Sequence, residues 1–504
     1  MGNHERILPI MLNPDSVSPS VKADTWVARG ALRFVALLER YLPDAFVFAL
    51  VSTGVVLVAG LFSTQGALSP LLSAWGKGFF SLLPFTLQMA LVIITGHLVA
   101  SAPAVARLLH TLSAVPRSPR QAVAFVTLLA MLSSWLNWGF SLVFSALLAK
   151  AVARRFAERG QAVDYRALAA ASFLGLGSIW AQGLSGSAAL QMATPGAVPD
   201  TLAHIVECGH AHCASVASVG TTPRGLLPLS HTIFLWQSLL SVVIEVLVVT
   251  GFLAWLSPVG AQAQTAAQLG IALSDPEPAS VQAVRAPRPG DFLEHSPWLS
   301  WGIVALGTGY LIAYFAAAPR WLEAITLHSV IMLLLLLGTA LHRTPARLQR
   351  AFAEATPAVW GVLLQFPFYG GIAGMLTATQ LNERIADLFV GLSSRASLPP
   401  LIAVYSALLG IFVPSGGSKW LIEAPYVLSA AHRLHVHPGW MVAVYDLGEA
   451  LANLLQPFWM LPTLAILGLS ARHVMGYTAL VFVVLLPLVL LLTWGLGLTL
   501  SYPL

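Results

Sequence analysis

The sequence contains little charge. Only 9% of its 504 residues are charged and 57% are apolar, with a mean hydropathy of +0.78, whereas a soluble globular protein carries about 25% charged residues. So little charge cannot cover a soluble surface, which excludes that class and predicts an all-α polytopic membrane protein. The basic pI near 9.4 does not indicate nucleic acid, because the basic residues act as topology signals beside the bilayer.

Cysteine is scarce and a nucleotide-binding motif is lacking. The two cysteines, Cys208 and Cys213, lie in "ECGHAHC" beside His210 and His212. Such spacing can bind metal, and an exported pair could form a disulfide. The sequence offers no second ligand cluster, so a variable loop without bound metal is favoured. The missing Walker-type loop argues against an ATP-driven pump within this chain.

Long apolar runs are abundant. Stretches of about 20 residues, enough to cross a bilayer, fall near 43–63, 80–102, 167–197, 226–256, 298–317, 322–341, 356–376, 440–468 and 474–499. Residues 1–40 precede them, and the first 22 of these lack a continuous apolar core and a small-residue cleavage site. We therefore expect a cytosolic tail rather than a signal peptide there.

Two further apolar stretches are interrupted by polar residues. Residues 121–149 contain "NWGFS" and residues 398–432 contain "PSGGSK". The first is too short for two crossings and has basic residues on both flanks, which predicts that both flanks are cytosolic. We expect two re-entrant helical hairpins, the first opening to the cytosol and the second to the outside.

The two halves resemble each other at a fixed offset. Gln88 and Gln365 lie in similar apolar contexts, and the same spacing of 277 residues relates Gly139 to Gly416. This predicts inverted-topology repeats, each with a re-entrant hairpin and a broken transmembrane helix. The predicted divisions are 1–40 for the tail, 41–256 for the first repeat, 257–297 for a flexible cytosolic linker rich in Pro, Ala and Gln, 298–321 for a connecting span, and 322–504 for the second repeat.

Carriers built in this way bind their substrate and coupling ion near the midplane, at the breaks in their helices. The predicted substrate-binding residues lie at the hairpin tips and in the broken span that follows the first hairpin. They are Asn137, Gly139, Ser141, Ser185, Gly186, Ser187, Ser415, Gly416, Gly417, Ser418 and Lys419. A small carboxylate would bind there through backbone amides and hydroxyl groups.

Three polar residues share one face of the broken span that follows the second hairpin. Glu449, Asn453 and Gln456 are spaced by four and three residues, which places them on one side of a helix. A carboxylate within a membrane span indicates function by default. Glu449 could carry a proton, or it could stay ionised beside sodium or the Lys419 ammonium. Carbonyls freed at the hairpin tips could also hold sodium, so H⁺ and Na⁺ both remain candidate coupling ions. No other cofactor is expected.

The chain also resembles a known family, the short-chain fatty acid transporters, over nearly its whole length. The stretches that carry the resemblance include "LQMALVIITGH", "GLSGSAALQMATPG", "LLQFPFYGGI", "FVPSGGSKW" and "NLLQPFW". The resemblance implies ion-coupled uptake of small monocarboxylates such as butyrate or acetoacetate across a bacterial inner membrane. Related carriers are often dimers, so a homodimer is an open alternative.

The sequence departs from this family after "PSGG", where it has Ser418, Lys419 and Glu423. Lys419 and Glu423 are one helical turn apart and could neutralise each other. Alternatively Lys419 could face the substrate, which would favour dicarboxylates or other small organic anions. An intramembrane transferase is a third alternative, but His97, Asp44 and His231 are scattered singly rather than clustered as a catalytic site requires.

Overall fold

The computed structural model describes residues 45–208, 225–273, 288–318, 320–322, 324–413 and 416–502, and these residues form helices and no β-strand. Cys213, His210, His212 and the predicted tail lie outside them. Six helical segments in these ranges are long and apolar enough to cross a membrane: Leu68–Ala100, Tyr165–Ala193, Trp236–Leu256, Pro297–Ala317, Trp360–Ala378 and Ala471–Gly497. Other predicted spans form shorter apolar helices, such as Leu327–His342.

The first half of the chain forms ten α-helices in the described ranges. They are α1 (Ala45–Ser63), α2 (Leu68–Ser81), α3 (Leu83–Ala100), α4 (Pro103–Ser113), α5 (Pro119–Leu136), α6 (Trp138–Glu158), α7 (Tyr165–Leu174), α8 (Ser187–Ala193), α9 (Asp200–Cys208) and α10 (Trp236–Leu256). A π-helical turn (Gly175–Ile179) and a 3₁₀ turn (Trp180–Gln182) lie between α7 and α8.

The second half repeats this order, without a counterpart of α9 in the described ranges, after two connecting helices, α11 (Asp291–Glu294) and α12 (Pro297–Ala317). It forms α13 (Leu327–His342), α14 (Pro345–Ala355), α15 (Trp360–Ala378), α16 (Leu381–Leu392), α17 (Leu398–Phe412), α18 (Gly416–Arg433), α19 (Pro438–Ala452), α20 (Leu461–Leu467) and α21 (Ala471–Gly497). A 3₁₀ turn (Phe458–Met460) separates α19 from α20.

The repeat predicted from the two glutamines extends through eight consecutive helices. Helix α3 begins at Leu83 and α15 at Trp360, 277 residues later, and α2 and α14 begin at the same offset. Packing follows the same relation, since α2 packs on α15 while α14 packs on α3. This exchange of equivalent contacts is what a pseudo-two-fold axis produces, and it supports the predicted architecture of inverted repeats.

Each repeat also contains short helices that lie outside the long apolar runs. They are α2 and α4 in the first repeat and α14 and α16 in the second. Helix α4 buries Val105 and Leu109 while α14 buries Ala351 and Ala355, and both carry polar residues on their other face. One-sided helices of this length contain no long apolar run, which is why a search for such runs misses them.

The first predicted hairpin consists of α5 and α6, which pack against each other on either side of Asn137. The backbone of Asn137 is extended, with φ −158° and ψ 118°, and this ends α5. The outer ends of the hairpin also meet, because the Arg159 guanidinium donates to the carbonyl of Pro116 at 3.0 Å. Both flanks of the hairpin therefore lie at one end of the molecule, although the side of the membrane that they face stays a prediction.

The predicted flexible linker begins with a packed segment. The Gln264 amide donates to the Asp164 carboxylate at 3.0 Å, and the Tyr165 amide donates to the Gln264 carbonyl at 2.8 Å. The Arg154 guanidinium donates to the carbonyl of Leu273 at 2.9 Å. This part of the predicted linker is thus held against α6 and the start of α7, and residues 274–287 lie outside the described ranges.

Candidate functional site

A small cavity lies where the hairpin tips meet the broken helices. It is lined by Met89, Ile93, Trp138, Leu176, Trp180, Ser187, Val362, Phe366, Gly416, Gly417, Asn453 and Trp459. Most of this wall is aromatic or aliphatic, and none of these lining residues is charged. Its volume of about 20 Å³ is room for little more than one water molecule, which needs about 10–15 Å³. The cavity as it stands is therefore too small for an organic substrate.

The second hairpin contributes a helix N-terminus to the cavity. Helix α18 begins at Gly416, and Gly416 and Gly417 both line the cavity. A side chain at either position would collide with its surroundings: a Cβ at Gly416 would lie 2.5 Å from the Trp180 ring, and one at Gly417 would lie 2.9 Å from the Phe85 ring. The two glycines thus let the start of α18 approach these aromatic rings. Ser415 and the side chain of Ser418 lie outside the description.

The first hairpin tip is capped by its own side chains. The Asn137 carboxamide oxygen accepts from the Phe140 amide at 2.7 Å, and the Ser185 hydroxyl accepts from the Trp138 amide at 2.9 Å. These two bonds satisfy amides that a helix N-terminus otherwise leaves unpaired. The start of α6 is therefore less able to bind an anion than its sequence predicts.

The remaining residues predicted at the first tip hold the backbone together. The Ser141 hydroxyl donates to the Ala130 carbonyl at 2.9 Å and accepts from the Ser133 hydroxyl at 2.9 Å, so it joins α5 to α6. Gly139 packs against α3, and a Cβ at Gly186 would lie 2.0 Å from the Ala181 carbonyl oxygen. Ser187, at the start of α8, does line the cavity. Substrate contact by any of these residues stays a prediction.

Asn453 connects the two broken helices. Its carboxamide nitrogen donates to the Leu176 carbonyl at 3.1 Å, and Leu176 is its equivalent in the other repeat, 277 residues earlier. The Gln456 carboxamide donates to the Asn453 carboxamide oxygen at 2.7 Å and accepts from the Phe458 amide at 2.8 Å. These bonds satisfy backbone groups released where the helices break, which lipid cannot do. Asn453 also lines the cavity.

Lys419 lies behind the tip, in a buried cluster of charges. Its ammonium is 2.5 Å from the Glu449 carboxylate and 3.2 Å from the Glu423 carboxylate. It also donates to the Ser406 carbonyl at 2.6 Å, and all of these side chains are buried. Of the two alternatives, the structure therefore supports pairing with Glu423, with Glu449 as a second partner. Lys419 does not line the cavity.

Two buried carboxylates were missed by sequence reasoning. Glu245, in the apolar helix α10, accepts from the Gln182 carboxamide at 3.0 Å beside the first break. Asp446 lies in α19 and is fully buried, and no hydrogen bond to its Oδ2 atom occurs among the described residues. The signal that could have found Glu245 was its occurrence in an otherwise apolar span, since such carboxylates are rare and are functional by default.

The chain has a helical fold that occurs in solved membrane proteins. It superposes on the YdaH transporter of Alcanivorax borkumensis with a TM-score of 0.55 at 16% identity, over 90% of this chain and 97% of that one. It also superposes on MtrF of Neisseria gonorrhoeae, described as one of a class of antimetabolite efflux pumps, with a TM-score of 0.57 at 15% identity, over 93% and 98% of the two chains. At these identities the likeness concerns the fold alone.

The sequence comparisons identify the family. The family profile described as short chain fatty acid transporter matches residues 27–500. Two relatives carry the provisional name of short-chain fatty acid transporter: one from Escherichia coli K12, 34% identical over 90% of this chain and 96% of its own, and one from Haemophilus influenzae Rd, 32% identical over 90% and 97%. The chain belongs to the short-chain fatty acid transporter family. It is a multi-pass membrane protein and a transporter rather than an enzyme.

Proposed function

We propose that the protein is a secondary transporter that takes up short-chain monocarboxylates, such as butyrate or acetoacetate, by ion-coupled symport. The observation that carries this proposal is the cavity itself. It combines one helix N-terminus and two small polar side chains with aromatic walls, and none of its described lining residues is charged.

The polar end of the cavity suits a carboxylate. A helix N-terminus presents unpaired amides and the positive end of the helix dipole, which together favour an anion. Gly416 and Gly417 bring the start of α18 to the cavity, and Ser187 and Asn453 add a hydroxyl and a carboxamide beside it. The carboxylate of the substrate would bind there. The amides, the hydroxyl and the carboxamide would replace the water molecules that hydrate it in solution.

The apolar end suits a short acyl chain. Trp138, Trp180, Trp459 and Phe366 form this wall, and burying each methylene of an acyl chain there contributes about 0.8 kcal/mol. The cavity must widen to admit even butyrate, and we expect its bulky aromatic wall to favour short acids over long ones.

A carrier of dicarboxylates or other small organic anions is the alternative. A second carboxylate would require a second compensating charge, because burying an unpaired ion costs several kcal/mol. Lys419 is already paired with Glu423 and Glu449. The arrangement therefore favours a monocarboxylate.

The coupling ion would be H⁺ or Na⁺, with Glu449, Asn453 and Gln456 as the residues that respond to it. Glu449 contacts the Lys419 ammonium directly behind the hairpin tip, so a change in its charge could reach the substrate site through α18. The expected setting is a bacterial inner membrane with the N-terminus in the cytosol, and a homodimer is the assembly to test.

Uptake of radiolabelled butyrate by proteoliposomes tests the function. We expect accumulation when an inward proton or sodium gradient is imposed, and competition by unlabelled propionate and acetoacetate. Succinate should compete poorly, because the cavity offers no charged side chain for a second carboxylate. Protein-free liposomes measure passive entry of the protonated acid. Succinate uptake without butyrate uptake would favour the alternative.

A further inference from the structure

The charge cluster around Lys419 is enclosed by three helices of the second repeat. Lys419 and Glu423 lie on α18, Glu449 lies on α19, and the carbonyl of Ser406 belongs to α17. The Lys419 ammonium contacts oxygen atoms of all three at 2.5–3.2 Å and lies 4.7 Å from the centre of the Tyr445 ring. The Glu423 carboxylate also accepts from the Ser406 hydroxyl at 2.6 Å.

The other repeat shows that the fold does not need these charges. At an offset of 277 residues, the positions of Lys419, Glu423 and Glu449 correspond to Leu142, Ala146 and Ser172. These three residues are also buried, in helices that pack in the same order. Because replacing a buried ion pair with apolar residues is often neutral or stabilising, the charges in the second repeat point to a role other than folding.

The groups around the Lys419 ammonium are those that surround a bound metal cation such as sodium. It is met by two carboxylates and a backbone carbonyl, the oxygen ligands that hard cations prefer. A third carboxylate is near, because Asp446 precedes Glu449 by three residues on the same face of α19, and its Oδ2 is buried without a hydrogen bond among the described residues. In carriers with inverted repeats, coupling cations bind at such a place, beside a broken helix.

We propose that the Lys419 ammonium is a tethered cation that permanently fills an oxygen-lined ion site, so that transport requires no free sodium ion there. This inference rests on the proposed function in that it assumes an ion-coupled carrier, and it narrows the coupling ion to the proton. The lysine keeps the second hairpin attached to α19 through Glu449, as an exchangeable cation would, but it cannot dissociate.

The wild-type protein gives the first test. Butyrate uptake driven by an imposed proton gradient should be the same when all sodium chloride is replaced by N-methylglucamine chloride. Sodium should also leave the Tm of the purified protein unchanged. A wild-type carrier that requires sodium for uptake would overturn the proposal without contradicting transport of monocarboxylates.

The variant Lys419→Ala gives the second test, because it empties the site and leaves its carboxylates in place. Without added cation, uptake should fall by about 10- to 100-fold, as expected for the loss of a charge-assisted hydrogen bond. Sodium or propylammonium, which has the size of the deleted group, should restore uptake and raise the Tm. The uncharged analogue 1-propanol should do neither. If neither cation changes uptake or Tm, the proposal is wrong.

Two further variants separate the charge from packing. Lys419→Arg keeps a cation and should retain uptake, whereas Lys419→Met fills the space without a charge and should be inactive and insensitive to both cations. An active Lys419→Met would contradict the proposal. The Tm measurements need no substrate, so they test the cation site even if butyrate proves not to be transported.

Discussion

At the scale of single residues, the polar side chains around the hairpin tips fall into two groups. Ser187 and Asn453 line the cavity, where a substrate would contact them. Asn137, Ser185 and Ser141 direct their oxygens to the backbone of the first hairpin. Residue type alone does not distinguish these groups, because a serine that caps a helix and a serine that binds an anion use the same hydroxyl.

Ser187→Ala and Ser141→Ala form a matched pair that tests this division. We expect Ser187→Ala to weaken butyrate binding about 10- to 100-fold, because a hydrogen bond to a charged group contributes about 1.5–3 kcal/mol. Ser141→Ala should leave the affinity unchanged and lower the stability by about 1 kcal/mol, the contribution of an ordinary hydrogen bond. Equilibrium binding and thermal unfolding of both variants measure this, and the reverse pattern would place the substrate on the first hairpin.

At the scale of helices, the structure depends on how the two breaks satisfy each other. The chain leaves α-helical geometry after Leu174 and again after Ala452. In lipid each released carbonyl or amide costs several kcal/mol if it stays unpaired. Asn453 donates to the carbonyl of its counterpart Leu176. At the second break, the Gln456 carboxamide bonds to the Asn453 side chain and to the Phe458 amide. The contact between the breaks therefore stabilises the centre of the molecule.

Replacing Asn453 with alanine should be costly for this reason. The buried Leu176 carbonyl and the Gln456 carboxamide would both lose a partner, and leaving a buried polar group unpaired costs about 1–3 kcal/mol. Thermal unfolding in detergent should show a clear fall in Tm. Gln237→Ala is the control, because it removes a buried amide whose partner is the exposed Thr499, far along the chain from either break. An equal fall in both variants would argue against a special role for Asn453.

At the scale of the whole molecule, the two repeats share their folding pattern but not their charges. Equivalent helices exchange contacts across the molecule, as α2 with α15 and α14 with α3. The charge cluster around Lys419 occurs only in the second repeat, whereas the first places Leu142 and Ala146 there. The helices are thus arranged symmetrically, whereas the buried charges are not.

Labelling of single cysteines tests how the first hairpin lies in the membrane. In a background without Cys208 and Cys213, Arg120→Cys and Glu158→Cys place thiols at the exposed outer ends of α5 and α6. Both should react from the cytosolic side only, because both flanks are basic and the Arg159 guanidinium meets the Pro116 carbonyl between them. Reaction of the two positions from opposite sides would show that α5 and α6 are not a re-entrant hairpin.

The sequence by itself determined the membrane class, the family, the two hairpins and the offset of 277 residues, because apolar length, polar interruptions and repeated spacing are properties of the chain. Only the tertiary structure decided which polar groups meet: Lys419 with Glu449, Asn453 with Leu176, and Gln182 with Glu245. Those contacts depend on the depth and rotation of helices distant in sequence. Periodicity tells which face of one helix is polar, but not which neighbour that face contacts.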